Sequence, residues 1–232
     1  MANLIAVMGM SGGGKSTSML KNDEFNIKGL DPKETFVINV SGKPLPGRGS
    51  MKLYSLDKTP NDGGNHIILK DPHKIAQTIT YVDQSRKDIK NLIVDDAGYI
   101  MGFDVMDNIN TKGFDKWTGL AANFMKVINA AKSARMDLNV IFTFHTEMGK
   151  DEKLKIKTAG AMIDNTIYLD GLFAMSLEAA IRKEGEVIKF GFLTRTNGNS
   201  TCKSPAGMFS EEFIPNDLGF VLDEVESYYN GE

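Results

Sequence analysis

The chain of 232 residues contains a single cysteine, a single tryptophan and no excess of positive charge. Because Cys202 stands alone, an intrachain disulfide framework and a cysteine metal cluster are excluded, and we expect a small semi-buried hydrophobe there. The formal net charge of −3 means that nucleic-acid contacts would need a local patch or several subunits together. No apolar run is long enough to cross a membrane, and the apolar opening is too short for a signal peptide. We therefore expect a cytoplasmic protein without membrane contacts.

Apolar runs alternate with helical patterns along the first two-thirds of the chain. Short buried strands are predicted at 3–8, 35–40, 91–95 and 138–144, and helices at 15–22, 71–88, 114–135 and 217–229. This alternation predicts an α/β fold with a largely parallel sheet covered on both faces, in one domain spanning residues 1–232.

Two segments depart from the alternating pattern. Residues 41–64 are rich in proline and glycine, which predicts a loop-rich excursion, with a short hairpin around 51–56. Residues 174–182 and 186–194 alternate around a turn at Gly185, which predicts an antiparallel hairpin as a C-terminal extension of the sheet.

The stretch GMSGGGKS, from Gly9 to Ser16, carries the strongest chemical signal. It matches the phosphate-binding pattern G-x-x-x-x-G-K-[ST] at every fixed position, between a predicted strand and a predicted helix. Its glycines let backbone N–H groups approach a phosphate, and the helix start would add a positive dipole. Lys15 is expected to contact the β- and γ-phosphates, and the Ser16 hydroxyl to ligate Mg²⁺. We predict a P-loop NTPase fold that binds ATP and Mg²⁺ through Gly9, Met10, Ser11, Gly12, Gly13, Gly14, Lys15, Ser16 and Thr17.

Polar residues at two other predicted strand ends are candidate partners of this loop. Asp95 ends the strand NLIVD, where a carboxylate would orient the Mg²⁺ shell opposite Ser16. Asp96 is a candidate to polarise the attacking water, with a helix cap as the alternative. His145 follows the strand LNVIFTF as a candidate γ-phosphate sensor, with a surface turn as the alternative.

Several stretches together carry a resemblance to a known family. GMSGGGKST, FVINVSGKPLPG, NLIVDD, IFTFHTE and the late SPAGMF and IPNDL stretches resemble phage-encoded AAA-type ATPases with a RecA-like core, often described as single-strand annealing recombination proteins. The resemblance covers nearly the whole chain. It implies a RecA-like fold, assembly into rings or filaments with ATP at the subunit interface, and handling of single-stranded DNA in the host cytoplasm. A single-strand DNA-binding protein would be a candidate partner.

One departure from this family concerns the catalytic carboxylate. RecA-like ATPases usually carry a glutamate just after a strand near the phosphate loop, whereas here the second strand runs into Val40-Ser41-Gly42-Lys43. Either Asp96 or Glu147 takes that role, or hydrolysis is slow.

Two groups of cations are candidate contacts outside the loop. Four lysines follow His145 on a stretch expected to be flexible, and they would contact DNA phosphates without sequence preference: Lys150, Lys153, Lys155 and Lys157. The alternative is a solvated loop, since acidic neighbours dilute the field. Arg195 and Lys203 follow the predicted hairpin and would contact a neighbouring subunit's γ-phosphate, with ordinary surface cations as the alternative.

Three functions remain open from the residues alone. The leading one is an ATPase acting on single-stranded DNA in recombination or annealing, and the second is a nucleotide-gated binding or loader module with little hydrolysis. A nucleotide or small-molecule kinase shares the loop, but kinases usually close an arginine-rich lid, and the arginines here are few and scattered. Adenine is favoured over guanine because no N-K-x-D motif is present.

Overall fold

A computed structural model of the chain describes residues 2–57, 59–110, 114–159 and 168–231, apart from the side chains of 114–116. Its strands are β1 (Asn3–Gly9), β2 (Thr35–Asn39), β3 (Leu56–Asp57), β4 (His66–Ile68), β5 (Asn91–Asp95), β6 (Asn139–Met148), β7 (Leu154–Ile156), β8 (Met175–Glu184), β9 (Val187–Leu193) and β10 (Phe213–Pro215). Its α-helices are α1 (Ser50–Leu53), α2 (Pro72–Ser85), α3 (Gly98–Asp107), α4 (Phe114–Lys132) and α5 (Leu218–Asn230).

The described strands form one mixed sheet that is mostly parallel. Its order is β10-β9-β8-β1-β6-β5-β2-β4-β3, and β7 pairs with β6 outside this path. Along this path all pairings between β8 and β3 are parallel, whereas β8–β9, β9–β10 and the separate β6–β7 pairing are antiparallel. The predicted α/β class, the largely parallel sheet and the C-terminal hairpin are therefore confirmed. In this order β6 lies between β1 and β5, so the ends of all three strands are close together.

Helices cover both faces of the sheet because successive strand residues point to opposite sides. On one face Ala6 and Met8 of β1 pack in a core with buried residues of α2, α3 and α4. On the other, Ile5 and Val7 pack in a second core with buried residues of α5. Cys202 is buried in the first core, as expected, and burial raises the pKa of its thiol to about 11. None of the helices in the described ranges is both long and apolar enough to cross a membrane.

The prediction of a helix at 15–22 is wrong. Only a 3-10 helix of three residues forms there, from Thr17 to Met19. The Ser18 hydroxyl donates to the carbonyl oxygen of Lys15 at 2.6 Å, and the chain then reverses so that Asn22 pairs with Ile27. Short polar side chains that bond to nearby backbone compete with helix propagation. The helix dipole expected to face the glycine-rich loop is therefore not available.

Two further expectations are corrected by the structure. The hairpin predicted around 51–56 is instead helix α1, followed by strand β3, which runs parallel to β4 at the edge of the sheet. The strand predicted to end at 144 continues to Met148 and forms an antiparallel hairpin with β7. A turn at 149–152 closes this hairpin, with the Gly149 amide donating to the Lys153 carbonyl at 2.7 Å. The lysine-rich stretch is therefore largely a β-hairpin.

Asp217 connects the segment after the 3-10 helix to the start of α5. Its carboxylate caps the helix by accepting from the Gly219 amide at 2.8 Å. The same carboxylate accepts from the Lys28 amide at 2.6 Å and from the Gly29 amide at 3.0 Å. One buried side chain thus satisfies backbone donors from two segments that are far apart in sequence.

We expect Asp217→Ala to lower the free energy of unfolding by about 2–3 kcal/mol, because it leaves several buried backbone donors unpaired. Asp71→Ala is the matched control, since Asp71 caps only its own helix, through the His73 and Lys74 amides, and should cost about 1 kcal/mol. Urea denaturation of both variants measures the difference. Equal losses would contradict the connecting role of Asp217.

Candidate functional site

The carboxyl ends of four parallel strands meet at one edge of the sheet. Gly9 at the end of β1 is in register with His145 of β6, and Asn39 at the end of β2 is in register with Asp95 of β5. A cavity of about 240 Å³ lies at this edge. It is lined by Ser11, Gly12, Gly14, Lys15, Ser16, Thr17, Ser41, Lys43, Pro44, Pro46, Asp95, Asp96 and His145.

Two glycines of the glycine-rich loop (residues 9–16) are required by close approach. A Cβ on Gly9 would lie 2.8 Å from the carbonyl oxygen of Ala179 in β8. Gly14 has a φ of +94°, and a Cβ there would lie 2.9 Å from the side-chain amide of Asn216. Since side chains resist positive φ and cannot fit at these distances, the loop can adopt this path only with glycine at both positions.

Lys15 places a buried ammonium at the base of the loop. Its Nζ donates to the carbonyl oxygens of Gly9, at 2.9 Å, and Met10, at 2.8 Å. Burial lowers the pKa of Lys15, and the nearby carboxylates of Asp96 and Asp95 partly offset this effect. The ammonium therefore has few solvent contacts and is held by carbonyl groups that an anion in the cavity would have to replace.

Ser16 and Asp95 form the central contact of the cavity. The Ser16 hydroxyl donates to Oδ1 of Asp95 at 2.8 Å, and the Thr143 hydroxyl of β6 donates to the same oxygen at 2.8 Å. Burial, followed by the charge of Asp96, raises the pKa of Asp95, whereas these two hydrogen bonds act against the rise. The contact joins the loop after β1 to the end of β5 and brings a hydroxyl oxygen and a carboxylate oxygen together.

The donor set at this position fits Mg²⁺. That ion usually takes one or two protein oxygens and completes an octahedral shell with water and substrate phosphate. The Ser16 hydroxyl and the Asp95 carboxylate are the oxygens that the sequence pattern assigns to the metal, and they are in direct contact. In the part of the chain that the structure describes, no cluster of three or more His, Cys, Asp or Glu residues could enclose a metal ion by itself. A metal held here would therefore depend on phosphate and water.

Asp96 directs a second carboxylate into the cavity. Its φ of +58° is uncommon for a residue other than glycine, and its amide donates to the Thr143 hydroxyl at 2.7 Å. Lys43 Nζ lies 3.3 Å from one carboxylate oxygen, and His145 Nε2 lies 3.4 Å from the other without hydrogen-bond geometry. Burial and the charge of Lys15 lower the pKa of His145, which favours the neutral form of its imidazole. The strained backbone thus keeps a carboxylate beside two nitrogen-bearing side chains.

The remaining candidate residues do not line this cavity. Glu147 lies on β6, where its carboxylate pairs with Lys155 at 3.4 Å. Arg195 is exposed beyond β9, and the backbone of Lys203 pairs with Ser176 of β8. The four lysines proposed for DNA contact lie on or beside the β6–β7 hairpin: Lys150, Lys153, Lys155 and Lys157.

A larger cavity of about 620 Å³ adjoins the glycine-rich loop and shares Gly12, Gly14 and Thr17 with the first. Its lining is mostly apolar and comes from three separate segments: Phe25, Asn26, Ile27, Ile188, Lys189, Phe190, Phe213, Ile214, Pro215 and Asn216. A charged cavity and a mostly apolar one therefore adjoin the same loop.

Three residues of the site were not singled out from the sequence. Thr143 is a polar residue within the otherwise apolar run 140–144, which is a usable signal. Asn216 lies in the IPNDL stretch, and the family resemblance implies no function for this residue. Lys43 enters the sequence analysis only as part of the segment after the second strand, which has no carboxylate. Nothing in the local sequence indicates that its side chain reaches Asp96.

Comparison with protein-family models gives no match to this chain, and a search among curated proteins gives no relative.

We expect Asp95→Asn to raise the free energy of unfolding of the ligand-free protein by about 1 kcal/mol at neutral pH, because it removes a buried charge. Since the pKa of Asp95 is raised from its ordinary value of 3.8, the cost of this charge is absent below that value and complete above the folded-state pKa. The gain should therefore appear as pH rises from about 4 and should be lost on acidification. Thermal denaturation across pH measures it.

Asp88→Asn is a control for which the expected change in stability has the opposite sign. A hydrogen bond from Arg86 lowers the pKa of Asp88, so the variant should be less stable than the wild type at neutral pH and equally stable at low pH. An Asp95→Asn variant that loses stability at neutral pH would contradict our description of the buried carboxylate.

Proposed function

We propose that this chain is a P-loop NTPase that binds ATP with Mg²⁺ and hydrolyses it. The observation that carries the proposal is the 2.8 Å hydrogen bond from Ser16 to Asp95, which joins a glycine-rich loop to a strand end 79 residues away. The sequence pattern assigns both residues to the metal for separate reasons, and their contact is what a shared Mg²⁺ ligand set requires. Lys15 lies in the same cavity, buried and close to both acidic residues.

In this proposal each residue has a stated task. The loop amides and the Lys15 ammonium bind the phosphates, with the ammonium leaving its own loop carbonyls. Ser16 and Asp95 hold Mg²⁺, which when bound offsets phosphate charge. Asp96 accepts a proton from the attacking water, and neutral His145 can donate a hydrogen bond to the terminal phosphate.

The apolar cavity beside the loop supports a nucleotide rather than a simple polyphosphate as the ligand. A base is a flat aromatic ring system whose two faces pack against apolar and aromatic side chains, and this cavity offers such walls from Phe25, Phe190 and Phe213. Because it shares Gly12 and Gly14 with the phosphate compartment, one molecule can occupy both. Adenine is the proposed base because the guanine-specific N-K-x-D motif is missing.

We also propose that the chain acts on single-stranded DNA as a ring or filament of a phage recombination ATPase with a RecA-like core. The mostly parallel sheet is compatible with such a core. A direct backbone connection supports a coupling between the nucleotide site and DNA contact, since β6 passes from His145 into the hairpin that carries the lysines. Because Lys155 is paired with Glu147, contacts to DNA phosphates would come mainly from the other three lysines of this hairpin. In an assembly Arg195 and Lys203 would act on a neighbouring subunit's phosphate.

A nucleotide-gated module with slow hydrolysis is a second candidate function. It is favoured by one observation, namely that the segment after β2 places Lys43, a cation, beside Asp96. A carboxylate paired with a cation is a weaker proton acceptor than a free one. The ATP-dependent switch would then be binding itself.

Steady-state ATP hydrolysis with and without single-stranded DNA, at low and moderate salt, tests the proposal. We expect turnover that rises at least several-fold with DNA, falls with salt, and is lost in Lys15→Ala because the phosphate ligand is gone. ATP binding without DNA-stimulated turnover would favour the nucleotide-gated module instead. Phosphate transfer to a nucleoside or nucleotide would indicate a kinase. Turnover that persists in Lys15→Ala would contradict the assigned site.

A further inference from the structure

Lys43 lies on a turn whose backbone is held in place by Asn39. The Asn39 side chain accepts from the Gly42 amide at 2.8 Å and donates to the Lys43 carbonyl oxygen at 2.6 Å. Gly42 has a φ of +71°, and Pro44 follows Lys43 directly, which restricts the backbone on that side. The turn therefore presents Lys43 at a defined position on the wall of the charged cavity.

The side chain of Lys43 is far more exposed to solvent than that of its partner Asp96. Its Nζ lies 3.3 Å from Asp96 and 5.5 Å from the centre of the Tyr99 ring. The lysine side chain is 65% exposed, whereas the Asp96 side chain is only 9% exposed. Because the ammonium is already mostly solvated, its transfer from Asp96 to another anion in the same cavity requires little further desolvation of the lysine.

An anion in this cavity would compete with Asp96 for Lys43. The charge of Asp96 is the largest cause that raises the pKa of Lys43, and Lys43 in turn contributes to lowering the pKa values of Lys15 and His145. These mutual effects place Lys43, Lys15 and His145 in one electrostatic environment. A terminal phosphate carries more negative charge than a single carboxylate and accepts more hydrogen bonds.

We propose that Lys43 is a second phosphate-binding cation, supplied by the same chain, which transfers from Asp96 to the terminal phosphate when a nucleoside triphosphate binds. The inference rests on the proposed nucleotide site and adds a basis for distinguishing triphosphate from diphosphate. A diphosphate lacks the terminal group, so it leaves Lys43 paired with Asp96. A triphosphate takes Lys43 and exposes the Asp96 carboxylate to water.

Equilibrium binding of ATP and of ADP, each with Mg²⁺, to wild type and to Lys43→Met tests this inference. Loss of a charge-assisted hydrogen bond should weaken ATP binding by about tenfold, while ADP binding changes by less than about twofold. Lys43→Arg keeps the charge and should restore most of the ATP preference. Lys52→Met is the matched control, because Lys52 lies in the same excursion and does not line the cavity, and it should bind both nucleotides as the wild type does.

The outcomes separate this inference from the function on which it rests. Equal weakening of ATP and ADP, or an unchanged ratio of their dissociation constants, would overturn the role of Lys43 while leaving nucleotide binding in place. A wild-type protein that binds neither nucleotide would overturn the proposed function together with this inference. Thermal denaturation of Lys43→Met, which should match the wild type closely, shows whether a loss of binding reflects a loss of fold.

Discussion

The buried carboxylate of Asp95 determines how the rest of the site is arranged. A charge removed from water is costly unless hydrogen bonds replace its hydration, and here the hydroxyls of Ser16 and Thr143 replace only part of it. Those two bonds hold the loop after β1, the end of β5 and the strand β6 in one arrangement. The insertion of β6 between β1 and β5 is what makes both bonds possible.

The charged groups around Asp95 are placed close together at a cost to the ligand-free protein. Burial lowers the pKa of Lys15 and raises that of Asp95, so each would be more readily neutral than in water. Asp96 adds backbone strain through its positive φ. Such strain and perturbed pKa values cluster at functional sites, where a ligand supplies the missing compensation. Magnesium and phosphate are the compensating charges that our proposed function supplies.

Local signals in the sequence predicted much of the fold and part of the site. The strand ending at Asp95 and the glycine-rich loop were found because each depends on neighbouring residues alone. The helix after the loop was predicted wrongly, since Ser18 bonds back to the Lys15 carbonyl and the chain reverses soon afterwards. Lys43 could not be placed because its contact with Asp96 joins residues 53 apart and depends on the pairing of β2 with β5.

Amide hydrogen exchange with Mg–ATP, compared with Mg–tripolyphosphate and with the free protein, tests the proposed nucleotide site most directly. Our account predicts that both ligands slow exchange in residues 9–17 and 41–46, which surround the charged cavity. Only ATP should also slow exchange in residues 25–27 and 213–216, which line the apolar cavity. Unchanged exchange in residues 9–17, with saturating ATP present, would contradict it.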